Sequence, residues 1–511
     1  MQKTLFSRFP AVVSIVLLGM PFFSEVLIAR AGGGGGSHGG GSHGGGSHGG
    51  GSHGGGFGHG AGGYSGGYSG HGAYYGNSGH SGGSPLLTII VLVISIYVIY
   101  RLVVYFRNSS NNRRFNAAAT VQPTAGTIAE SREFPAAKSD FDLDGLLSKV
   151  RKAFIEVQTA WSEQNSDRMR RFITDGVYQR FNTQFRMMSL LRQSNPLTNI
   201  RILDVRVDSI EHDGMYDIAN VAIHASMNDK FECALNHELD EEGDNDFVEY
   251  WSFLRKRGAE GKNIYDSPKC PNCGAPLSEN MGELCKCRYC NAMVNSGEFD
   301  WVLAEITQED DYRREGRFTE KMAGLDEKVR EMVSTYGDFA VQLLEDKASN
   351  AYMQIMMAYA THDPSLMRRF VTDALFRQLA PQIEKHQEIF NRIFLNNVTL
   401  IGAEKIDNMN LLIFSLACSY QRALITNNSV KLVDPEIVMR EEVLMLNRDI
   451  GAGEGKGSIY QHNCPLCGGP VKDTLDIKCS FCGSPLNSTA NDWIVCALMS
   501  RSDYMKEFYP G

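Results

Sequence analysis

Eight of the twelve cysteines form four Cys-x-x-Cys pairs, and these pairs are the residues in the sequence best suited to chemistry. Each pair supplies two thiolates from one tight turn, so two pairs together can hold a zinc ion between four sulfurs at about 2.3 Å. Such a site has no open position for water, so its ion is structural and not catalytic. The spacing predicts two structural Zn2+ ions, one held by Cys270, Cys273, Cys287 and Cys290, the other by Cys464, Cys467, Cys479 and Cys482.

Two alternatives for the cysteines follow from their positions. A redox dithiol also uses Cys-x-x-Cys, but the surrounding sequence lacks the strand–helix–strand pattern of thioredoxin-like proteins. Cys285 lies two residues before Cys287 and could replace it as a ligand, although only Cys287 completes a Cys-x-x-Cys pair. The four cysteines outside the pairs are scattered, and such unpaired thiols beside metal-type pairs favour a reducing compartment.

The sequence that must position the cysteines occurs twice. The motif Met-Arg-Arg-Phe-Ile-Thr-Asp at 169–175 returns as Met-Arg-Arg-Phe-Val-Thr-Asp at 367–373. An Asp-Trp pair stands ten residues beyond the last cysteine of each set. These matches indicate a tandem duplication, in which each copy carries one set of four cysteines.

Each copy begins with helical periodicity and continues with strand periodicity. In the first copy, two amphipathic helices precede a hairpin with its turn at 212–214, and a last strand includes 250–254. In the second copy, helices are expected across 338–396 and strands from 398 onward. Helices followed by antiparallel strands predict an α+β fold.

The repeated Arg-Arg pair, at 170–171 in the first copy, has two interpretations. It could form a site for a phosphate or a lipid headgroup. We expect the structural alternative, in which Met169 and Phe172 face the core and the arginines cover the surface. Thr174 or Asp175 then caps the next helix.

The order of the elements, the repeated motif and the strand Glu-Tyr-Trp-Ser-Phe at 249–253 together resemble the Tim44-like domain. The resemblance covers 141–257 and, with Val443 in the place of Trp251, also 340–447. It implies two cone-like domains of the nuclear-transport-factor-two-like class, each a curved sheet half-wrapped by helices. It also implies a role in tethering proteins at a membrane and not in catalysis.

The first 140 residues have the composition of targeting and membrane segments. Residues 1–31 are typical of a signal peptide, with an uncleaved anchor as the alternative. Residues 32–84 are rich in Gly, Ser and His and are expected to be a disordered extracytoplasmic segment, with weak transition-metal binding as the alternative. Residues 85–106 predict one transmembrane helix, and the arginines after it place the linker 107–140 and the remaining chain in the cytoplasm.

The expected order after the membrane segment is a domain copy and a zinc ribbon, each occurring twice. The ribbons are predicted at 264–312 and 459–505, and a helical linker at 313–339 joins the two halves. The formal net charge of −9 argues against a nucleic-acid partner, which would require a basic surface.

No catalytic constellation recurs between the copies. No histidine is repeated, and the sequence shows no nucleophile–base pair and no phosphate-binding loop, so we expect no enzyme activity. The sequence therefore predicts a single-pass protein of the inner (plasma) membrane that acts as a zinc-containing adaptor for protein partners. The alternative is binding of a lipid or a small hydrophobic ligand in the cone pocket.

Overall fold

The computed structural model describes residues 141–312, 321–337, 339–452, 464, 466–471 and 475–509. The predicted signal peptide, Gly/Ser/His-rich segment, transmembrane helix and following linker, which together span 1–140, lie outside these residues. Parts of the predicted helical linker and of the second ribbon also lie outside them. Within the described part of the chain, no helix is both long enough and apolar enough to cross a membrane.

The first copy consists of two long helices followed by a five-stranded sheet. Its elements are α1 (Leu143–Ser162), two 3-10 turns (Ser166–Arg168 and Arg170–Phe172), α2 (Asp175–Leu191), β1 (Gln193–Ser194), β2 (Leu197–Asp213), β3 (Tyr216–Cys233), a 3-10 turn (His237–Leu239), β4 (Glu241–Lys256) and β5 (Val302–Gln308). Asp142 caps α1, and Thr174 caps α2 by accepting a hydrogen bond from the backbone of Val177. These side chains satisfy N–H groups that a helix start leaves without partners, as expected for the repeated motif.

The short α3 (Glu309–Tyr312) closes the first copy, and α4 (Leu325–Thr335) lies between the copies. The second copy then repeats the order with α5 (Val341–Thr361), a 3-10 turn (Pro364–Met367), α6 (Asp373–Ile383), β6 (Ile389–Ile406), β7 (Met409–Thr426), β8 (Ser429–Leu432), β9 (Val438–Asp449), β10 (Ile494–Ser500) and α7 (Arg501–Phe508). The helical region ends at Ile383, well before the expected limit at 396, because the β-branched and aromatic residues from Ile389 onward pair as a strand.

Both sheets are antiparallel, and the fold is α+β, as predicted. In the first sheet β3 pairs with β1, β2 and β4, and β4 also pairs with β5. In the second sheet β7 pairs with β6, β8 and β9, and β9 also pairs with β10. Register shifts interrupt the long β2 and β6 ladders, and such bulges bend a strand, so each sheet curls around its helices.

The last strand of each sheet follows the cysteines in the sequence. Trp251 of β4 pairs with Ile306 of β5, and Leu444 of β9 pairs with Leu498 of β10. Each cysteine segment is therefore inserted before the final strand of its sheet, although the ribbon boundaries drawn from the sequence assigned these strands to the ribbons.

Strand pairing also corrects the alignment of the two copies. The first pairs of the two ladders are Tyr216 with Lys256 and Met409 with Asp449. Five residues inward, Trp251 pairs with Val221 in one sheet and Leu444 pairs with Phe414 in the other. Leu444 and not Val443 therefore takes the place of the tryptophan, because its side chain faces the helices and Val443 faces the opposite side of the sheet.

The two copies pack against each other, and each supplies a cap to a helix of the other. Asp346 of α5 accepts hydrogen bonds from Thr174 Oγ1 at 2.6 Å and Gly176 N at 3.0 Å, at the start of α2. Asp213 accepts hydrogen bonds from the first two backbone N–H groups of α5 at 2.8 and 2.7 Å, where Ala340 offers no cap of its own. Helix capping therefore ties each copy to its neighbour.

The hydrophobic cores of the copies also share residues. Met187 and Leu191 of α2 are buried in the core of the second copy, and Leu343 of α5 is buried in the core of the first. Arg180 of α2 donates to Ser349 Oγ of α5 at 2.7 Å. The tandem therefore folds as one packed body and not as two modules on a linker.

The buried Asp346 cap makes the stability of this body depend on pH. Burial raises the pKa of Asp346 from an ordinary 3.8 to about 7, although the hydrogen bonds from Thr174 and Gly176 oppose the shift. Since the folded state binds this proton more tightly, its contribution to stability is complete below the unfolded pKa and is lost as pH rises through about 7. We expect the free energy of unfolding to increase from pH 8 to pH 6 in denaturant titrations.

The matched control for the pH dependence is Asp346→Asn, which keeps an acceptor oxygen but has no proton to lose. Its free energy of unfolding should change less between pH 8 and pH 6 than that of the natural chain. Equal pH dependence in the two proteins would assign the effect to another group, such as Glu345, whose pKa burial raises to about 8.

Candidate metal centres

The first set of four cysteines converges on one point. The Cys270 and Cys290 sulfurs lie 3.6 Å apart, and the Cys273 and Cys287 sulfurs lie 3.7 Å apart. All four sulfurs are within 4.8 Å of one another. Four sulfurs placed tetrahedrally at about 2.3 Å from an ion are separated by about 3.8 Å, so this set has the dimensions of a four-thiolate metal site.

The second set has the same geometry. The Cys464 and Cys482 sulfurs lie 3.6 Å apart, and the Cys467 and Cys479 sulfurs lie 3.7 Å apart. These four sulfurs are also within 4.8 Å of one another. The two groups of cysteines could each hold a metal ion, and together they contain every ligand predicted from the sequence.

Each Cys-x-x-Cys pair lies on a tight turn, which we call a knuckle. In each knuckle the residue after the second cysteine donates its backbone N–H to the carbonyl of the first cysteine, at 2.8–2.9 Å. The four donors are Gly274, Asn291, Gly468 and Gly483, and all have positive φ, between 58° and 76°. Glycine and asparagine tolerate this backbone conformation, which explains their positions next to the ligands.

Backbone amides also point at the sulfurs. The amide of Tyr289 donates to Cys287 Sγ, and the amide of Phe481 donates to Cys479 Sγ, both at 3.4 Å. The backbone N–H of Ala292 lowers the pKa of Cys290 to about 6, whereas burial raises the pKa of Cys270 in the same site to about 12. Amide donors favour the thiolate form, which is the form that binds a metal ion.

Cys285 is not part of either group. Its side chain is completely buried, and its sulfur donates to the backbone carbonyl of Arg170 at 3.4 Å. Burial raises the pKa of Cys285 to about 12, which keeps it a neutral thiol. Cys287 therefore belongs to the four-sulfur group, and Cys285, the alternative ligand, lies outside it.

Arg170 attaches the first cysteine segment to the domain. Its side chain is fully buried, forms an ion pair with Asp175 at 2.5 Å, and lies over the ring of Tyr178. It also donates to the backbone carbonyls of Gly282 and Glu283, in the loop between the two knuckles, at 2.8 Å each. The expectation that this arginine covers the surface is wrong, because carbonyls supplied by the inserted segment offset the cost of burying its charge.

The counterpart in the second copy remains at the surface. Arg368 forms an ion pair with Asp373 and lies over the ring of Phe376, but 22% of its side chain is exposed. Met169 and Phe172 of the first copy are buried, as expected from the motif. One sequence motif therefore produces two different environments for its first arginine.

A lysine from the first helix of each copy binds the Asp-Trp pair that follows the cysteines. Lys149 of α1 donates to Asp300 Oδ1 at 2.6 Å, and Lys347 of α5 forms the same ion pair with Asp492. The adjacent tryptophans are buried, with 3% and 5% of their surface exposed. Sequence reasoning missed the lysines, although both keep the spacing of the Met-Arg-Arg-Phe motif.

One acidic position inside the curved sheets also recurs and was missed. Glu249 of β4 accepts hydrogen bonds from Trp251 Nε1 at 3.0 Å and Gln308 Nε2 at 2.9 Å. At the corresponding place on β9, Glu442 accepts a hydrogen bond from Tyr352 OH at 2.5 Å, and burial raises the pKa of Glu442. The strand register shows that Glu249 and Glu442 occupy corresponding positions. The alignment of Val443 with Trp251 in the sequence did not show this. Both carboxylates bind neighbouring side chains of their own copy.

Comparison with known proteins supports the resemblance seen in the first copy. The family model of the Tim44-like domain matches residues 128–265, which confirms the predicted family for that part of the chain. No curated protein matches the chain at a significant level. A solved structure described as an Ntf2-like protein involved in plasmid conjugation shares 9% identity, with 70% of this chain and 97% of that chain covered, at a TM-score of 0.13.

Proposed function

We propose that the chain is a membrane-tethered adaptor that binds protein partners at the cytoplasmic face and contains two structural zinc ions. The observation that carries the adaptor function is the Tim44-like match at 128–265, since domains of this family are generally protein-interacting. The resemblance of the second copy to the first, through the repeated motif and the second cysteine set, extends this proposal to the whole tandem.

Zinc is the metal that suits the two four-cysteine groups. Four thiolates in a tetrahedral arrangement are typical ligands of structural zinc, and they leave no position for a substrate or a water molecule. Iron also binds four thiolates, so metal analysis must decide between the two ions. In either case the ion would stabilise the inserted segments, and no residue of either group would remain free for catalysis.

The packing of the tandem supports a binding role and not a catalytic one. Reciprocal caps and shared cores join the copies, so the tandem presents one continuous surface to a partner. The interior carboxylates, Glu249 and Glu442, are engaged by their own neighbours. We therefore propose that the protein is not an enzyme.

Membrane tethering is proposed from the sequence of residues 85–106. This segment has the length and apolar composition of a transmembrane helix, and the arginines after it favour a cytoplasmic location for the folded body. Tethering restricts the adaptor to one surface, so a partner that binds it becomes concentrated at the membrane.

Photo-crosslinking of the full chain in its native membranes tests the adaptor function. A photo-reactive residue placed at Leu203 of β2 or at Ile406 of β6, about half exposed in each case, should capture the same discrete protein, which mass spectrometry then identifies. As a control, Arg170→Ala is combined with the photo-reactive residue at position 203. Capture of the protein should then fall, because the substitution destabilises the first copy. Capture of lipid alone at both positions would favour the lipid-binding alternative.

A further inference from the structure

Three of the four knuckles carry an exposed apolar side chain at the outer end of the turn, which we call the knuckle tip. Tyr289, Leu466 and Phe481 are 69%, 67% and 61% exposed, and they are the most exposed large apolar side chains in the described part of the chain. Each stands immediately before the second cysteine of its pair. A metal site needs only the sulfurs and the turn geometry at this position, so these side chains are not explained by metal binding.

The charged residues of the knuckles are all basic. From the residue before each first cysteine to the residue after each second cysteine, the charges are Lys269, Lys286, Arg288 and Lys478, with no Asp or Glu. Lys269, Arg288 and Lys478 are exposed. This differs from the chain as a whole, whose formal net charge is −9.

The two cysteine segments lie side by side. Lys286 of the first segment donates its Nζ to the backbone carbonyl of Val471 in the second, at 2.9 Å. The first cysteine of every pair is buried, whereas Cys273, Cys467 and Cys482 are exposed, so the knuckle tips are on the outer side of the segments. The knuckle tips of the two neighbouring cysteine segments therefore combine exposed apolar side chains with lysine and arginine side chains.

We propose that these knuckle tips dock on an anionic membrane surface. Tyrosine, phenylalanine and leucine on exposed turns can enter the interfacial layer of a bilayer, and nearby lysines and arginines are attracted to anionic headgroups. A nucleic acid fits less well, because its binding depends mainly on cations that contact phosphates and gives no role to an exposed aliphatic side chain such as Leu466.

The bilayer is the favoured occupant because the folded body is held close to it. This inference rests on the membrane tethering of the proposed function. Only residues 107–140 separate the predicted membrane span from the first described residue, so the folded body stays within reach of the bilayer. Docking by the tips would fix the orientation of that body. The amides that donate to the sulfurs and the exposed cations offset the negative charge of the thiolates at the tips.

Tryptophan fluorescence in the full chain tests the docking. The four native tryptophans are at most 5% exposed, and the difference in emission between the variant and the natural chain reports the new tryptophan at a tip. Phe481→Trp is placed in nanodiscs of phosphatidylcholine, with or without phosphatidylglycerol, whose acyl chains carry bromine. We expect its emission to move to shorter wavelength and to be quenched by the brominated lipid. The quenching should be stronger with phosphatidylglycerol than without it. Lys478→Glu in the same chain should reduce the quenching.

The matched control is Ile425→Trp, which replaces an apolar side chain that is 38% exposed. It lies at the end of β7 opposite to Met409, which pairs with Asp449 where the second cysteine segment leaves the sheet. Its emission should remain unquenched. Absence of quenching at 481, or equal quenching at 425, would overturn the proposal, and capture of Phe481→Trp by a purified protein partner without lipid quenching would assign the tips to protein binding. A chain that does not insert into nanodiscs contradicts the tethering, and the same quenching is then measured with added vesicles.

Discussion

Replacing Cys270 with serine is expected to remove one of two bound metal ions and to unfold the first cysteine segment. The four sulfurs of its two knuckles converge on one point, so a bound ion would join the two turns. Structural zinc contributes about 10–16 kcal/mol of binding free energy in small zinc peptides, so loss of one ligand should have a large effect. Elemental analysis of the purified chain gives the ion count, and thermal unfolding gives the loss of stability.

Two controls distinguish a metal site from general damage. Cys464→Ser should remove the other ion and leave the first site filled, because the two groups share no ligand. Cys285→Ser should retain both ions, since Cys285 is buried beside Arg170 and lies outside the group. Purified chain without zinc, or with iron in its place, would contradict the proposed cofactor.

Arg170→Ala is expected to destabilise the body by about 3–5 kcal/mol, because it leaves the buried carboxylate of Asp175 without its cation. Two backbone carbonyls of the inserted loop would lose their donor at the same time. The equivalent change in the second copy, Arg368→Ala, should cost less than about 1 kcal/mol, since that ion pair is partly exposed to water. Denaturant titration of the full chain and of both variants measures the difference.

The comparison of these two arginines is specific because both belong to the same repeated motif. Similar losses of stability in the two variants would mean that burial of Arg170 does not determine its contribution. Arg170→Lys provides a further control, since lysine keeps the charge but cannot donate simultaneously to Asp175 and both carbonyls. The free energy of unfolding of Arg170→Lys should lie between those of Arg170→Ala and the natural chain.

The cysteine spacing and the helix caps could be predicted because they are local. Gly274 and Gly468 occupy turns whose positive φ is required within four residues of the first cysteine, so the pattern specifies the turn. Thr174 caps the helix that begins at the next residue, and that interaction also needs no distant partner. The α+β order followed from the change of hydrophobic periodicity, which reports which face of each element is buried.

The tertiary structure decided what lies around those local elements. The motif Met-Arg-Arg-Phe is identical in the two copies, yet Arg170 is buried and Arg368 is partly exposed. The partners that bury Arg170 include carbonyls more than a hundred residues away along the chain, and periodicity within the motif carries no information about them. Reciprocal capping by Asp213 and Asp346 was likewise beyond sequence reasoning, because a carboxylate becomes a cap only when packing brings a helix start from the other copy within hydrogen-bonding distance.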